Sequence, residues 1–131
     1  MDLFRHTNPT ALSRPTGYTH IVEVNRGKTV YIAGQVAFDA SGAVVGKQDF
    51  IAQTRQVMEN LKAALAAVGA TFDNVVKVNT YVTDISQIQA LREVRSAYFG
   101  ANPPASTLVQ VVALAHPDLM IEIEAVAVVP E

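Results

Sequence analysis

One long amphipathic stretch in the middle of the chain constrains the fold more than any other sequence feature. Its stripe recurs at three- and four-residue steps, on Phe50, Ile51, Thr54, Val57, Met58, Leu61, Leu65 and Val68. This spacing predicts a helix of about five turns with one face in a core. Asp49 can cap its amino end and Gly69 can terminate it. A helix of this kind needs a sheet to cover its apolar face.

The segments around this helix have the β-branched, alternating composition of strands. We expect five of them, over His20–Val24, Thr29–Val36, Val75–Thr83, Thr107–Ala113 and Met120–Val129. The first two are joined by a turn at Arg26-Gly27-Lys28 and are expected to form a hairpin. Residues 1–17 are expected to form an irregular arm because they carry several proline and glycine residues among polar ones.

A second, shorter helix is expected between the third and fourth strands. Ser86 is its expected cap and Gly100 its expected end, with an apolar stripe on Ile88, Leu91, Val94 and Tyr98. The order of elements is then β-β-α-β-α-β-β. We therefore predict a single domain over residues 1–131 with an α/β (α+β) fold, in which two helices lie on one face of a mixed sheet.

The other face of that sheet is expected to be too apolar to stand in water. Two helices cover only one face of a sheet of about five strands. Its opposite face should hold Tyr31, Ala33, Val126 and Val128. Only 17% of the chain is charged, against about 25% in typical soluble domains. We therefore expect this face to pack against further copies of the chain, because large apolar patches are rare on monomers.

Composition excludes several classes of function. The formal net charge is −2 and the ten Lys and Arg residues form no run, so no basic field would attract nucleic acid. The chain has no Cys, which excludes thiolate catalysis and cysteine zinc sites. No apolar stretch approaches the ~18 residues of a membrane span, so we expect no membrane association and a cytoplasmic location. His6, His20 and His116 lack metal-site spacing, and we expect no metal.

Several segments resemble, in order, those of the RidA/YjgF family. The resemblance runs from about Tyr18 to Val129, and the Pro-Pro-Ala element followed by Ile-Glu-Ile-Glu-Ala is its most specific part. The matching segments are Gly17–His20, Tyr31–Val36, Gln53–Leu61, Val75–Asp84, Pro103–Ser106 and Ile121–Ala125.

This resemblance implies a chorismate-mutase-like fold assembled as a homotrimer, with ligand clefts between subunits. It implies small carboxylate or imine ligands. In the deaminase branch of the family, reactive enamine or imine acids are hydrolysed to 2-keto acids and ammonia without a cofactor. We accordingly expect no cofactor.

The chain departs from that branch at Ser106. The deaminase branch reads Pro-Ala-Arg where this chain reads Pro-Ala-Ser. The family arginine clamps the substrate carboxylate with two parallel hydrogen bonds, a geometry that a serine hydroxyl cannot offer. We therefore expect little activity on small 2-imino acids.

Glu122 is the candidate catalytic residue. Apart from Glu124, its strand is made of Met, Ile, Ala and Val, where a carboxylate is costly unless it is paired or faces a cleft. By resemblance it matches the glutamate that positions the hydrolytic water. The alternative is a sheet-face carboxylate paired with Lys77 or with a neighbouring subunit. Glu124, on the same face, is expected to have a structural partner.

The candidate substrate-binding residues are Tyr18, Ala33, Gly34, Arg92, Ser106 and Thr107. Tyr18 matches the cleft tyrosine of the family, or is an interface aromatic. Gly34 allows close approach of the backbone to a ligand, or marks a bulge. Ala33 stands where the family often has Ser, which removes a polar contact.

The remaining candidates have ordinary alternatives as well. Ser106 and Thr107 supply cleft hydroxyls, or are simply the start of a strand. Arg92 matches the position from which the second helix reaches the cleft, where it could bind an anion. Alternatively, Arg92 is a solvent-exposed charge on the helix near Glu93 and takes no part in ligand binding. We favour that interpretation.

The sequence leaves three candidate functions, each from a different class of protein. The first is an imine or enamine hydrolase with altered substrate preference. The second is a trimer that binds or senses a metabolite without turning it over. The third is RNA cleavage, suggested by an older label of the family and weakest because of the acidic composition.

Overall fold

Six strands and two α-helices form the computed structural model, which describes residues 2–131. In chain order they are β1 (Phe4–Thr7), β2 (Ile21–Val24), β3 (Lys28–Gln35), α1 (Phe50–Ala67), β4 (Val75–Val82), α2 (Ile88–Ser96), β5 (Ala105–Gln110) and β6 (Ile121–Val129). Short 3₁₀ turns, Phe72–Asn74 and Ile85–Gln87, precede β4 and α2.

Four of the strands form one mixed sheet in the order β3-β6-β4-β5. The β4–β5 pair is parallel, and β6 is antiparallel to both β3 and β4. A parallel pair needs a long crossover, which α2 provides between β4 and β5. The predicted mixed sheet and the predicted order of elements from β2 to β6 are confirmed.

Strand alternation gives the sheet one helix-covered face and one open face. On β4, Val76, Val78, Thr80 and Val82 are buried, whereas Lys77, Asn79 and Tyr81 are half-buried, as their alternation predicts. The apolar stripe of α1 packs on the covered face, where Val57, Met58, Leu61 and Leu65 are almost fully buried. Both helices contribute to this core.

The ends of α1 match the sequence signals. The Asp49 carboxylate accepts a hydrogen bond from Ala52 N at 3.0 Å. Gly69 takes the left-handed conformation that favours glycine, with φ of 73°. Ile51 and Val68, which were expected on the buried stripe, are 39% and 43% exposed. Both lie at the margins of the stripe, beyond the reach of the sheet.

The predicted hairpin between the first two strands is wrong. β2 pairs with β1 in a separate two-stranded sheet, while β3 pairs with β6. The chain turns instead at Gly27, with φ of 109°, whose backbone lies against β6. A Cβ at Gly27 would lie 2.7 Å from Val128 Cγ1. Val128 is therefore buried rather than exposed on the open face.

The arm predicted over residues 1–17 is also not wholly irregular, because it contains β1; its residue 1 lies outside the described part of the chain. Four residues are too few for a periodic signal. Pairing with β2, far along the chain, supplies the order that the local sequence does not reveal.

The second helix and the fourth predicted strand have different bounds from those expected. Asp84, not Ser86, is the cap: its carboxylate accepts from Ser86 N at 3.0 Å and starts the 3₁₀ turn before α2. α2 then ends at Ser96 rather than near Gly100. β5 spans Ala105–Gln110 rather than Thr107–Ala113, because it follows the register of β4.

A buried glutamine ties α1 to the loop before β6. Gln53 is 0% exposed, and its Nε2 donates to Gly46 O at 3.2 Å and to Asp118 O at 2.8 Å. Its Oε1 accepts from Met120 N at 2.8 Å. One side chain thereby bonds three backbone groups, and for Asp118 O and Met120 N it is the partner that keeps them satisfied, whereas Gly46 O also accepts from Asp49 N at 2.8 Å.

Replacing Gln53 should therefore destabilise the protein by more than the loss of its side-chain packing alone would. We expect Gln53→Ala to lower the free energy of unfolding by about 2 kcal/mol or more, because it leaves partly buried backbone groups unpaired. Gln89→Ala, at an exposed position on α2, is the matched control and should change it by less than about 0.5 kcal/mol. Urea unfolding measures both. Equal effects of the two variants would contradict this account of Gln53.

Candidate functional site

A cavity of about 520 Å³ lies between α2 and the outer strand β5. Its wall is mostly apolar and includes Ile88, Leu91, Phe99 and Leu108. The register explains the position. Ser106 pairs with Val78, whose side chain is buried under the helices. Ser106 and, two residues on, Leu108 therefore point to the helix-covered side of the sheet, beside α2. An apolar cavity with a few polar groups is the usual form of a small-molecule site.

The segment before β2 closes one side of this cavity. Gly17 and Tyr18 line it, and Gly17 has the positive φ of 76° that the turn requires. Thr19 fastens the segment to the start of β5: its N donates to Pro104 O at 3.1 Å and its hydroxyl donates to Pro103 O. The Tyr18 ring packs edge-on against His20, with centroids 5.2 Å apart. Tyr18 and Ser106, both predicted cleft residues, thus line one cavity.

Two arginines from α2 also line the cavity. Arg92 is an exposed residue that contributes to the wall, so it meets both the solvent and the cavity. Arg95 is half-buried, and its Cζ lies 5.5 Å from the centroid of the Phe99 ring. This is a cation–π distance.

Arg95 brings an unsatisfied polar group to the wall of this cavity. Its Nη2 is buried and has no hydrogen-bond partner among residues 2–131. Burial, and secondarily the neighbouring Arg92 charge, lower the pKa of the Arg95 guanidinium below its usual value. A buried guanidinium is stable only when something compensates its lost hydration.

Sequence reasoning missed Arg95, although a signal was present. It falls four residues after Leu91, on the predicted apolar stripe of the second helix rather than on its polar face. A charged residue on a buried stripe needs an explanation, and here the explanation is the cavity.

The candidate catalytic residue lies elsewhere, on the open face. Glu122 pairs with Tyr81 across the β6–β4 ladder and is half-buried. It lies against the irregular end of β3, where the register shifts between Ile32 and Gln35. A Cβ at Gly34 would overlap the Glu122 carboxyl group, with 2.8 Å to its Cδ. The backbone at Gly34 thus lies against this carboxylate, at the bulge that was one of the two alternatives for this glycine; its approach to a ligand stays a prediction.

Neighbouring polar groups on the open face have partners. Glu124 Oε1 accepts from Tyr81 Oη at 2.7 Å and from Asn79 Nδ2 at 3.1 Å, the structural pairing expected for it. The hydrogen bond to this carboxylate, helped by burial, raises the pKa of Tyr81. Lys77 Nζ donates to Thr107 Oγ1 at 2.8 Å. Within residues 2–131, Lys77 therefore makes no ion pair with Glu122.

The predicted site residues consequently fall into two groups in one chain. Tyr18, Arg92 and Ser106 line the cavity beside β5. Glu122, Ala33 and Gly34 lie around the open-face end of β3 and β6. Thr107 faces the open side as well, but on β5, at the opposite edge of the sheet from β3.

Among residues 2–131, no group of three or more His, Cys, Asp or Glu side chains could hold a metal ion. Neither α1 nor α2 is both long and apolar enough to cross a bilayer.

Two helices on one face of this mixed sheet define a chorismate-mutase-like α/β protein, and comparison with known proteins is consistent with that class. The family model described as Endoribonuclease L-PSP matches residues 9–129. A crystal structure of a Rid family protein of unknown function from Yersinia pestis superimposes with a TM-score of 0.91. It is 43% identical and covers 98% of this chain and 100% of its own.

Curated relatives agree. A RutC family protein of Pyrococcus horikoshii is 40% identical over 104 residues, 79% of this chain and 82% of its own. The human 2-iminobutanoate/2-iminopropanoate deaminase is 36% identical over 111 residues, 85% of this chain and 79% of its own. The chain belongs to the RidA/YjgF family, as its motifs predicted.

The close packing of Gly34 on Glu122 can be tested by a double-mutant cycle. Gly34→Ala should lower the free energy of unfolding by about 1–2 kcal/mol, because the new methyl group displaces the carboxylate. In a Glu122→Ala background the same substitution should cost less than about 0.5 kcal/mol, since the three nearest atoms all belong to Glu122. Chemical unfolding of the four proteins gives the coupling energy. A Gly34→Ala cost that is the same in both backgrounds would contradict the contact.

Proposed function

We propose that this protein hydrolyses imine or enamine acids to keto acids and ammonia, with a substrate preference altered by Ser106. The observation that carries the proposal is the cavity beside β5, which holds Tyr18 and Ser106 together with two guanidinium groups. The names of its deaminase relatives point to the same chemistry. A cytoplasmic setting, where such reactive intermediates arise, and no cofactor are part of the proposal.

The chemistry needs a water molecule and a base. Water adds to the imine carbon as one of its protons passes to the base, which delivers that proton to the nitrogen. The hydroxyl of the resulting carbinolamine then gives up its own proton, which the base also carries to the nitrogen, and the C–N bond breaks to leave a keto group and ammonia. Glu122 is the base we propose, because it is a half-buried carboxylate against the backbone at Gly34, whereas the other carboxylate of its strand, Glu124, already accepts from Tyr81 and Asn79. Catalysis by this residue requires that it reach the cavity where the acid binds.

A homotrimer supplies that reach. In one chain, β3 and β5 are opposite edges of the sheet, and Glu122 and Ser106 point to opposite faces. We propose that β5 and its cavity in one subunit meet the β3 edge, with Gly34 and Glu122, of the next. The open face supports such an assembly, since it exposes 81% of Tyr31 and 42% of Val109.

We also place the chain in a branch of the family without the carboxylate-clamping arginine. Ser106 can donate one neutral hydrogen bond, whereas a guanidinium donates two charged ones. The small 2-imino acids depend most on that clamp, since they have little apolar surface to bind by. The substrate we propose is therefore bulkier than these.

A metabolite-binding protein without catalysis is the second candidate. The observation that favours it is the same separation: within one chain, the carboxylate and the cavity lie on different faces of the sheet. If no second copy brings them together, the cavity binds a ligand and turns nothing over.

Imines generated by an amino acid oxidase from leucine and from alanine test the proposal, with keto acid formation as the readout. We expect the protein to accelerate hydrolysis of the leucine-derived imine more than that of the alanine-derived one. Glu122→Gln should lower kcat by about 100-fold or more, the usual contribution of a positioned base. The control Glu93→Gln, on the exposed side of α2, should keep full activity. If Glu122→Gln hydrolyses both imines as fast as wild type, Glu122 is not the base. If wild type accelerates the hydrolysis of neither imine, the result favours a metabolite-binding protein without catalysis.

A further inference from the structure

We infer that Arg95 binds the carboxylate of the ligand in the cavity beside β5, in place of the arginine absent at position 106, and that the ligand is a monocarboxylic acid with a hydrocarbon or aromatic body. The inference rests on the proposed function only in taking this cavity as the ligand site. It concerns binding and holds whether or not the bound acid is hydrolysed.

The first support is the state of the Arg95 guanidinium. It extends from α2 over the Phe99 ring on the wall of the cavity, and its Nη2 is buried without a partner among the described residues. Buried N–H groups of a charged side chain nearly always have an acceptor. A guanidinium held in one orientation is preorganised to donate two parallel hydrogen bonds to a carboxylate.

The second support is the charge of the cavity wall. Its described lining contains two cationic side chains, Arg92 and Arg95, and no Asp or Glu. The carboxylate of Glu93 points away, toward a different groove that it lines with Arg55 and Tyr98. Nothing in residues 2–131 neutralises the two guanidinium groups in the cavity, so an anion would relieve their mutual repulsion.

The third support concerns the body of the ligand. Around the polar end, the wall is formed by Ile85, Ile88, Leu91, Pro103 and Leu108. Water in such surroundings is readily displaced by apolar groups. A volume of about 520 Å³ also exceeds the needs of a three- or four-carbon acid. A branched-chain or aromatic side chain matches the wall better than a short or doubly charged one.

Calorimetric titration with 4-methyl-2-oxopentanoate, 2-oxobutanoate and the uncharged 4-methyl-2-pentanone tests the inference without turnover. Wild type should bind the branched acid more tightly than the short one, and the ketone weakly. Arg95→Met should weaken binding of the branched acid by ten-fold or more, and Arg95→Lys by less, because the ammonium keeps the charge and loses the planar fork. The matched control Arg55→Met, at an exposed position on α1 outside this cavity, should leave binding unchanged within about two-fold.

Two further measurements keep the inference falsifiable if one variant folds poorly. Without ligand, Arg95→Met should be at least as stable as wild type, since it removes a partly buried cation that makes no ion pair and whose buried Nη2 has no hydrogen-bond partner among residues 2–131. In the Arg95→Met background, Ser106→Arg should recover affinity for the branched acid.

Equal affinity of wild type and Arg95→Met would overturn the inference, and so would no binding of either acid by wild type at millimolar concentration. A change in mass by light scattering in Arg95→Met, with ligand affinity unchanged, would show that Arg95 pairs with a carboxylate of another copy instead. Failure of the proposed hydrolysis would give a different result. Wild type would then still bind the acid and Arg95→Met would still bind it weakly, but neither protein would form keto acid from the imine.

Discussion

The alternation of side chains along β4, β5 and β6 is the constraint on which the rest of this structure depends. Because β4 is central and pairs with both β5 and β6, its register decides which residues face the helices and which face away. Ser106 shares a face with Val78 and borders the cavity. Glu122 shares a face with Tyr81 and lies outside it. A shift of one residue in either ladder would exchange these roles.

Much of the fold could be predicted because its strongest signals are local. α1 has a periodic stripe and caps at both ends, and β4 has strict alternation, so both were placed correctly. The errors arose where order comes from distant contacts. β1 is ordered by pairing with β2, and the turn at Gly27 between β2 and β3 lies against Val128 of β6. No local window contains that information.

The site was less accessible to sequence reasoning, and Arg95 shows why. The family pattern directs attention to position 106 and to Arg92, whereas the guanidinium with a buried, unpartnered nitrogen is one turn further along α2. Its significance depends on a cavity whose opposite wall comes from Ser106 and Tyr18, far away in the chain. A buried, unpaired cation costs stability, a cost that functional sites often carry. The substrate preference of this protein would then depend on α2 rather than on β5.

Complementation between two impaired variants tests most directly the central claim, that Glu122 of one subunit serves the cavity of the next. Glu122→Gln and Arg95→Met are mixed in equal amounts, allowed to exchange subunits and assayed for hydrolysis of the leucine-derived imine at a concentration far below KM, where the weak binding of Arg95→Met leaves it little activity of its own. With random exchange, one site in four at the subunit interfaces combines an intact Glu122 with an intact Arg95, so we expect about a quarter of the wild-type activity. Activity no higher than that of the separate variants, after exchange has been verified by mass spectrometry, would contradict a site shared between subunits.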